Sequence, residues 1–254
     1  MNARLGALLL VPNTLDLGSA TPPPIQSQLP HAVIERAAAL GHWVVEDARS
    51  ARAFLKRIGA VVPLAQALQA THIEEMPRGR KGSAEPVPAA AWSALLAPAR
   101  AGHDVGVLSE AGLPGVADPG AALVQAAHEA GLVVEPLPGA SSLLLALAAS
   151  GLNGQSFAFV GYVPQDGAAR AGRITELEAL SRRSRQTQLM IEAPYRNAAL
   201  LQALVQGLAP STRLAVSCGL TLPSAWTRSE PIAAWRSRPE TRPFDEPAVF
   251  CLLA

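Results

Sequence analysis

DVGVLSEAGLPGVADPG, Asp104 to Gly120, is the stretch that decides the fold. Asp104 to Leu108 is a short apolar run without polar alternation, bounded by Gly102 and by the small residues after it, which is the pattern of a parallel strand covered on both faces. Gly112, Pro114 and Gly115 keep the following loop free of bulk, so a ligand can lie directly against backbone N–H and C=O groups at the carboxyl end of that strand. Asp118 and Pro119 have the chemistry of an N-cap and a first helical position, which predicts a helix to about Ala130 stopped by Gly131. Strand end, open loop and capped helix together make a ligand shelf in an open α/β sheet. A tight connection without a ligand has the same local chemistry, so the neighbouring segments must decide.

Upstream, Leu5 to Val11 reads as a central strand, followed by a Pro-rich and polar loop from Pro12 to Pro24. Leu29 to Leu40 has a helical apolar face and is closed by Gly41. Trp43 to Val45 is the next strand; it delivers Glu46, Asp47 and Arg49 to the start of a helix over Ser50 to Arg57, where the two acids would also serve as caps. Val61 to Leu64 reads as another strand. Thr71 to Pro88 reads as a mobile loop whose Arg78, Arg80 and Lys81 could meet phosphates or simply be solvated, and Ala89 to Arg100 as a helix.

Downstream, the strand Leu132 to Pro136 leads through Pro138-Gly139-Ala140-Ser141-Ser142 to an apolar helix, Leu143 to Ser150, which one of the two serines should cap. Strands are expected at Phe157 to Tyr162, Gln188 to Glu192, Leu214 to Ser217, Trp226 to Ser229 and Ala248 to Leu253. Between them lie a helix with a basic face (Arg170, Arg173, Arg182, Arg183, Arg185), a helix opened by Pro194 and running to about Gly207, and a short helix at Ile232 to Trp235. Strands and helices alternate throughout, which means an α/β protein. We expect two α/β domains, residues 1–118 with a mainly parallel sheet and residues 119–254 with a mixed sheet.

With 254 residues, 49% of them hydrophobic and 16% charged, the chain can bury a large core. A net charge of +1 announces no global attraction to nucleic acid, so any basic surface must be local. The longest apolar run, Leu143 to Ala149, is far shorter than the ~20 residues of a membrane span. Cys218 and Cys251 form no metal motif, and no secretory signal is visible, which points to a cytoplasmic setting. The histidines, His31, His42, His72, His103 and His128, are spaced so that no metal face is expected.

There is no GxxxxGK[ST], GxGxxG or GxSxG string. What survives is a set of small, backbone-rich strand exits: Pro12, Ser109 to Val116, Ser141 with Ser142, Glu192 with Ala193, and Cys218 with Gly219. They suit an adenosine-type ligand rather than a triphosphate that needs lysine and Mg²⁺.

LSEAGLPGVADPG followed by VVEPLPGASSLLLALAASGL resembles the paired motifs of the tetrapyrrole-methylase superfamily of S-adenosylmethionine-dependent methyltransferases, nearest to its 16S ribosomal RNA ribose 2′-O-methyltransferase branch. VPNTLDLG, VEDARSARAFLKRIG, FAFVGYVP and IEAPYRN extend the similarity along the chain in the same order. Three strings depart from that branch. PNTLDLG stands for a Pro-Thr-Pro-Ile-Gly-Asn-Leu pattern, Glu110 replaces the usual Asp, and IEAPYRN stands where the branch has Tyr-Glu-Ser. The resemblance implies two α/β domains with S-adenosylmethionine in a cleft between them, and a homodimer. By position, Pro12 would border the cofactor. Ser109, Glu110, Ala111, Gly112 and Val116 would line its methionine and ribose, followed by Ser141 and Ser142. Ile191, Glu192 and Ala193, with Cys218 and Gly219, would enclose the adenosine.

A sulfonium methyl is already electrophilic, so positioning and exclusion of water supply most of what transfer requires. A ribose hydroxyl is a poor nucleophile and would gain from an acid-base helper; the strand-end candidates are Glu46, Asp47, Arg49, Glu192 and Arg196. The acceptor would be RNA, with the small ribosomal subunit as the expected carrier, met by the Arg78 to Lys81 and Arg170 to Arg185 surfaces. A tetrapyrrole-like or other small metabolite is the alternative acceptor, and a non-catalytic cofactor-binding protein the third reading.

Overall fold

The computed structural model describes residues 4–16, 19, 21–78 and 87–254. Arg80 and Lys81 of the expected cationic loop lie outside the described residues. The chain divides into two compact units, Met1–Ala140 and Ser141–Ala254.

The first unit contains β1 (Ala7–Leu10), α1 (His31–Ala38), β2 (His42–Val45), α2 (Ala48–Gly59), β3 (His72–Glu75), α3 (Ala89–Ala94), α4 (Ala97–Arg100), β4 (Val105–Leu108), α5 (Ala121–Glu129) and β5 (Val133–Pro136). Its sheet is parallel throughout, in the order β3-β2-β4-β1-β5. Strand alternation divides the core into two layers. Leu9, Trp43, Val45 and Leu108 pack against α1 and α2, while Leu8, Val44, Val105 and Val107 pack against α3, α4 and α5. The path leaving β1 runs through α1 toward β2, and the path leaving β4 runs through α5 toward β5, on the opposite face. The neighbouring carboxyl ends of β1 and β4 are therefore the topological switch point of the sheet, where open α/β sheets bind ligands.

The second unit contains α6 (Ser142–Ser150), β6 (Phe157–Phe159), α7 (Gly167–Ser184), β7 (Thr187–Glu192), α8 (Asn197–Gly207), β8 (Arg213–Cys218), β9 (Trp226–Pro231), α9 (Ile232–Ser237) and β10 (Ala248–Leu253). Its sheet, ordered β6-β7-β10-β8-β9, is mixed: β6 and β7 are parallel and the other pairings antiparallel. Leu143, Ala146 and Leu147 of α6 cover one face, and α7, α8 and α9 cover the other around Phe250, Leu214 and Trp235. Among the described residues no helix is long and apolar enough to cross a membrane.

Several sequence expectations are corrected. The division falls after Ala140 rather than after residue 118, because β5 pairs with β1 and draws α5 into the first sheet. Val61 to Leu64 is not a strand: Val61, Val62 and Leu64 follow α2 as a turn and pack on the α1–α2 layer. The strand is β3 instead, inside the segment read as a loop. It is a mostly exposed edge strand paired only with β2, so its sequence, HIEE, carries no hydrophobic pattern. Ala89 to Arg100 is two short helices, with Pro98 in the first turn of the second. Gly41 is not a left-handed stop; α1 ends at Ala38 with Ala39 still right-handed.

The helix after the central loop starts at Ala121, not at Pro119. Gly120, with φ 136°, occupies the N-cap, so Asp118 and Pro119 remain in the loop. Gly131 does stop it with a left-handed φ of 68°. Ser141 is the N-cap residue of α6, but its side chain accepts no capping hydrogen bond. The histidines are less scattered than their spacing suggests. The rings of His42 and His72, paired in register on β2 and β3, stack 4.9 Å apart, with His103 5.1 Å from His42. Among the described residues no cluster can hold a metal ion.

Candidate functional site

The site forms where β1 and β4 stop. Leu108 of β4 is fully buried, and the chain then opens into Ser109, itself almost completely buried, and the loop 110–120. Left-handed backbone at Gly112 (φ 67°) and Gly115 (φ 78°) lets the loop fold back in small steps. Asn13, three residues beyond β1, ties the two exits together. Its backbone N–H donates to the Gly112 carbonyl (2.8 Å), and its side-chain amide donates to the carbonyls of Ser109 and Glu110, both at 3.0 Å. At 6% exposure this amide is held away from water, so it fixes the β4 exit rather than decorating it.

The loop after β1 is itself braced. Thr14 donates its hydroxyl to Asp16 (2.7 Å), and Arg57 of α2 reaches both Thr14 (3.0 Å) and Asp16 (2.9 Å) as well as the Pro23 carbonyl (3.0 Å). Pro12 meets the β5 exit so closely that a Cβ on Gly139 would stand 2.2 Å from the proline ring, which makes glycine obligatory there. Asn13, Thr14, Asp16 and Arg57 were not singled out from sequence. Apart from the local Thr14–Asp16 bond, their partners lie some 34 to 97 positions away, and no local spacing encodes them.

Of the residues expected near a cofactor, Pro12, Ser109, Glu110, Ala111, Gly112 and Val116 lie on the exits of β1 and β4, with Val116 44% exposed. Glu46 joins them from β2, its carboxylate accepting the Glu110 backbone N–H at 3.1 Å. Beside this shelf, within the first unit, is a cavity of about 830 Å³ lined by Glu46, Asp47, Glu110 and Asp118, by Arg78, and by apolar walls including Met76 and Trp92. Burial, then the Glu46 charge, pushes Asp118 up to about 6, against a lowering contact from the Ser109 hydroxyl. Glu110 is raised as well, first by burial and then by Glu46 and Asp47. Asp47 moves the other way because it accepts the Ser50 N–H (2.7 Å) as the N-cap of α2. Arg49 is exposed on the first turn of α2 and does not line the cavity.

In the second unit, Ile191 and Glu192 end β7, Ala193 follows, and Cys218 ends β8 with Gly219 next in a left-handed turn. Glu192 is buried and bonded twice: it accepts from the Ala193 N–H (2.8 Å) and from Arg196 Nε (2.8 Å), whose Nη2 lies 2.6 Å away. That closed pair braces the turn after β7 and leaves Tyr195 83% exposed. Cys218 is buried against the Glu246 carbonyl, and burial raises its thiol. Ser141 is buried at the start of α6, with Ser142 half-buried beside it.

The doubly covered parallel sheet, with its switch point at the β1 and β4 exits, followed by a mixed-sheet α/β unit, defines a class of two-unit α/β proteins. Within it, a family model for tetrapyrrole (corrin/porphyrin) methylases matches residues 32–230, and the chain belongs to that family. The protein named ribosomal RNA small subunit methyltransferase I of Micromonospora olivasterospora is 44% identical over 110 residues, 43% of this chain and 34% of that protein. The protein of the same name from Pseudomonas aeruginosa is 34% identical over 159 residues, 63% of this chain and 48% of that protein. The chain thus spans about a third to a half of the length of these relatives. The crystal structure of uroporphyrin-III C-methyltransferase from Thermus thermophilus matches with a TM-score of 0.51 at 21% identity, over 98% of this chain and 92% of that one, a likeness of fold.

Proposed function

We propose that the protein is an S-adenosylmethionine-dependent methyltransferase whose acceptor is RNA, a ribose hydroxyl of the small ribosomal subunit being the expected target. The observation that carries this reading is the family match joined to relatives named for ribosomal RNA small-subunit methylation. The shelf chemistry supports the donor. The charged side chains along 109–120 are Glu110 and Asp118, both carboxylates, with no lysine or arginine among them. Such a lining suits a sulfonium and an ammonium and disfavours a polyphosphate. Bound there, the donor would supply a methyl group already activated for attack.

The chain's own residues then have several tasks. Asn13 holds the carbonyls of Ser109, Glu110 and Gly112 in one arrangement, so the shelf is formed before a ligand arrives. Val116, 44% exposed, offers apolar surface at its rim, while Pro12 is buried against Gly139. The cavity beside it, walled by Trp92 and Met76, gives room for an acceptor. Exposed cations at the end of α7 in the second unit, Arg182 and Arg183 with the C-cap Arg185, support an RNA backbone contact. Exposed Phe157 and Phe159 on the edge strand β6 support self-association, as expected of a homodimer in the cytoplasm.

The test is incubation with methyl-labelled S-adenosylmethionine and cell extract, followed by fractionation. Label in small-subunit RNA, with strong salt dependence, is the expected result. Label confined to small molecules would move the acceptor to a metabolite, and no transfer despite donor binding would leave a non-catalytic binding protein.

A further inference from the structure

We propose that Asp118 is the proton acceptor of the transfer step, facing a neutral, hydroxyl-bearing nucleoside seated in the 830 Å³ cavity of the first unit. This rests on the methyltransferase reading above. It does not follow from the sequence, in which Asp118 has the look of a helix cap.

Four carboxylates line the cavity, and three have other positions or duties. Glu46 accepts the Glu110 N–H at 3.1 Å. Asp47 caps α2 through the Ser50 N–H at 2.7 Å. Glu110 is exposed at the rim. Asp118 is half-buried, and among the described residues no backbone N–H donates to it, because Gly120 has taken the N-cap of α5. Burial, Glu46 and Glu110 raise Asp118, while the Ser109 hydroxyl, which donates to the Ala111 carbonyl (3.2 Å), lowers it. Asp118 therefore joins the cavity to the shelf.

The charges around it come from every exit that faces the cavity: Glu46 after β2, Asp47 at the head of α2, Glu110 after β4, and Arg78 after β3. Among the described residues four carboxylates and the Arg78 guanidinium line the cavity, a set that suits a neutral sugar and base, with Trp92 offering a face for a planar ring. Burial and Glu46 hold Asp118 at about 6, so at neutral pH it is mostly ionised yet basic enough to take a proton. In the step, the hydroxyl oxygen forms its bond to the methyl carbon as the carbon–sulfur bond breaks. The sulfonium leaves as a neutral thioether, and the hydroxyl proton passes to the Asp118 carboxylate.

The test compares wild type, Asp118→Asn and Asp118→Glu. The donor-free proteins are titrated potentiometrically, and transfer is then measured on small ribosomal subunits carrying unmodified RNA. The wild-type minus Asp118→Asn titration should show one proton with a midpoint near 6. Asp118→Asn should lose about 10²–10⁴-fold in kcat with KM and donor affinity nearly unchanged, the acid limb of the pH profile should vanish, and Asp118→Glu should recover part of the rate. A wild-type rate or a persisting acid limb in Asp118→Asn, no group titrating near 6, or joint loss of donor binding and rate would each overturn the proposal alone. A wild type that labels no subunit RNA would instead overturn the acceptor reading and, with it, the proposal.

Discussion

Asn13 and Ser109, the first on the exit of β1 and the second on the exit of β4, are joined by a side-chain amide to carbonyl hydrogen bond of 3.0 Å in a buried setting. The same amide reaches the Glu110 carbonyl, so one side chain sets the spacing of both exits at the switch point. Asn13→Ala would leave buried carbonyls without their donor. A loss of about 1–3 kcal/mol is expected in chemical denaturation of the protein. Asn13→Asp, which replaces the donor with an acceptor, should cost more. A stability unchanged in both variants would show the contact to be idle.

The brace behind that loop gives a second expectation. Asp16 has an 8% exposed side chain, paired with Arg57 at 2.9 Å. Arg57→Ala strands a buried carboxylate and should cost about 2–3 kcal/mol, whereas the double variant Arg57→Ala with Asp16→Asn should recover part of it. Additive losses in the double-mutant cycle would deny the coupling.

Gly106 lies in β4 under Trp43. A Cβ there would come within 2.7 Å of the indole ring and 2.9 Å of Leu40. Gly106→Ala is therefore expected to destabilise by about 1–3 kcal/mol through overpacking. Trp43→Leu in the same chain should make the alanine cheaper, which thermal melts of the four proteins would measure.

The His42, His72 and His103 cluster predicts a pH effect. Burial, with His72 and His103 nearby, lowers His42, while Glu74 opposes. The unfolded chain then binds more protons than the folded one just below the ordinary histidine value of about 6.5. The His42 contribution is present above that pH and is lost as pH falls through it. Wild type should lose melting temperature relative to His42→Gln between pH 7.5 and 5.5. Parallel curves would contradict this.

Glu192 and Arg196 offer a direct contrast between brace and catalyst. Their closed pair after β7 leads us to expect that Glu192→Ala destabilises by about 3 kcal/mol, because it strips the partner from a guanidinium and frees the Ala193 N–H. Glu192→Gln, which can still accept both bonds, should restore most of the stability. A normal fold with lost transfer in Glu192→Gln would make it a reacting group instead.

What the sequence displayed follows from burial. β1, β4 and β10 carry unbroken apolar runs and β8 a short apolar stretch, because their sheets are covered, and they stand within a residue or two of expectation. β3 could not be read, since an exposed edge strand has only backbone partners to define it. Asp118 looked like a cap because Asp-Pro has cap chemistry. Only the left-handed Gly120 in three dimensions removes it from that duty. The exit loops were recognised from their small residues, but Asn13, Arg57 and the histidine trio depend on strand order, which no local pattern states. His42 and His72 meet because β2 and β3 are neighbours in register.

The most direct measurement of the shelf is calorimetric titration of the folded protein with S-adenosylhomocysteine, the donor stripped of its methyl, alongside Asn13→Ala. Saturable binding of one molecule per chain, weakened at least tenfold in the variant, is the expected result. No heat with well-folded wild type, or equal affinity in both proteins, would contradict the assignment of the β1 and β4 exits as the donor site.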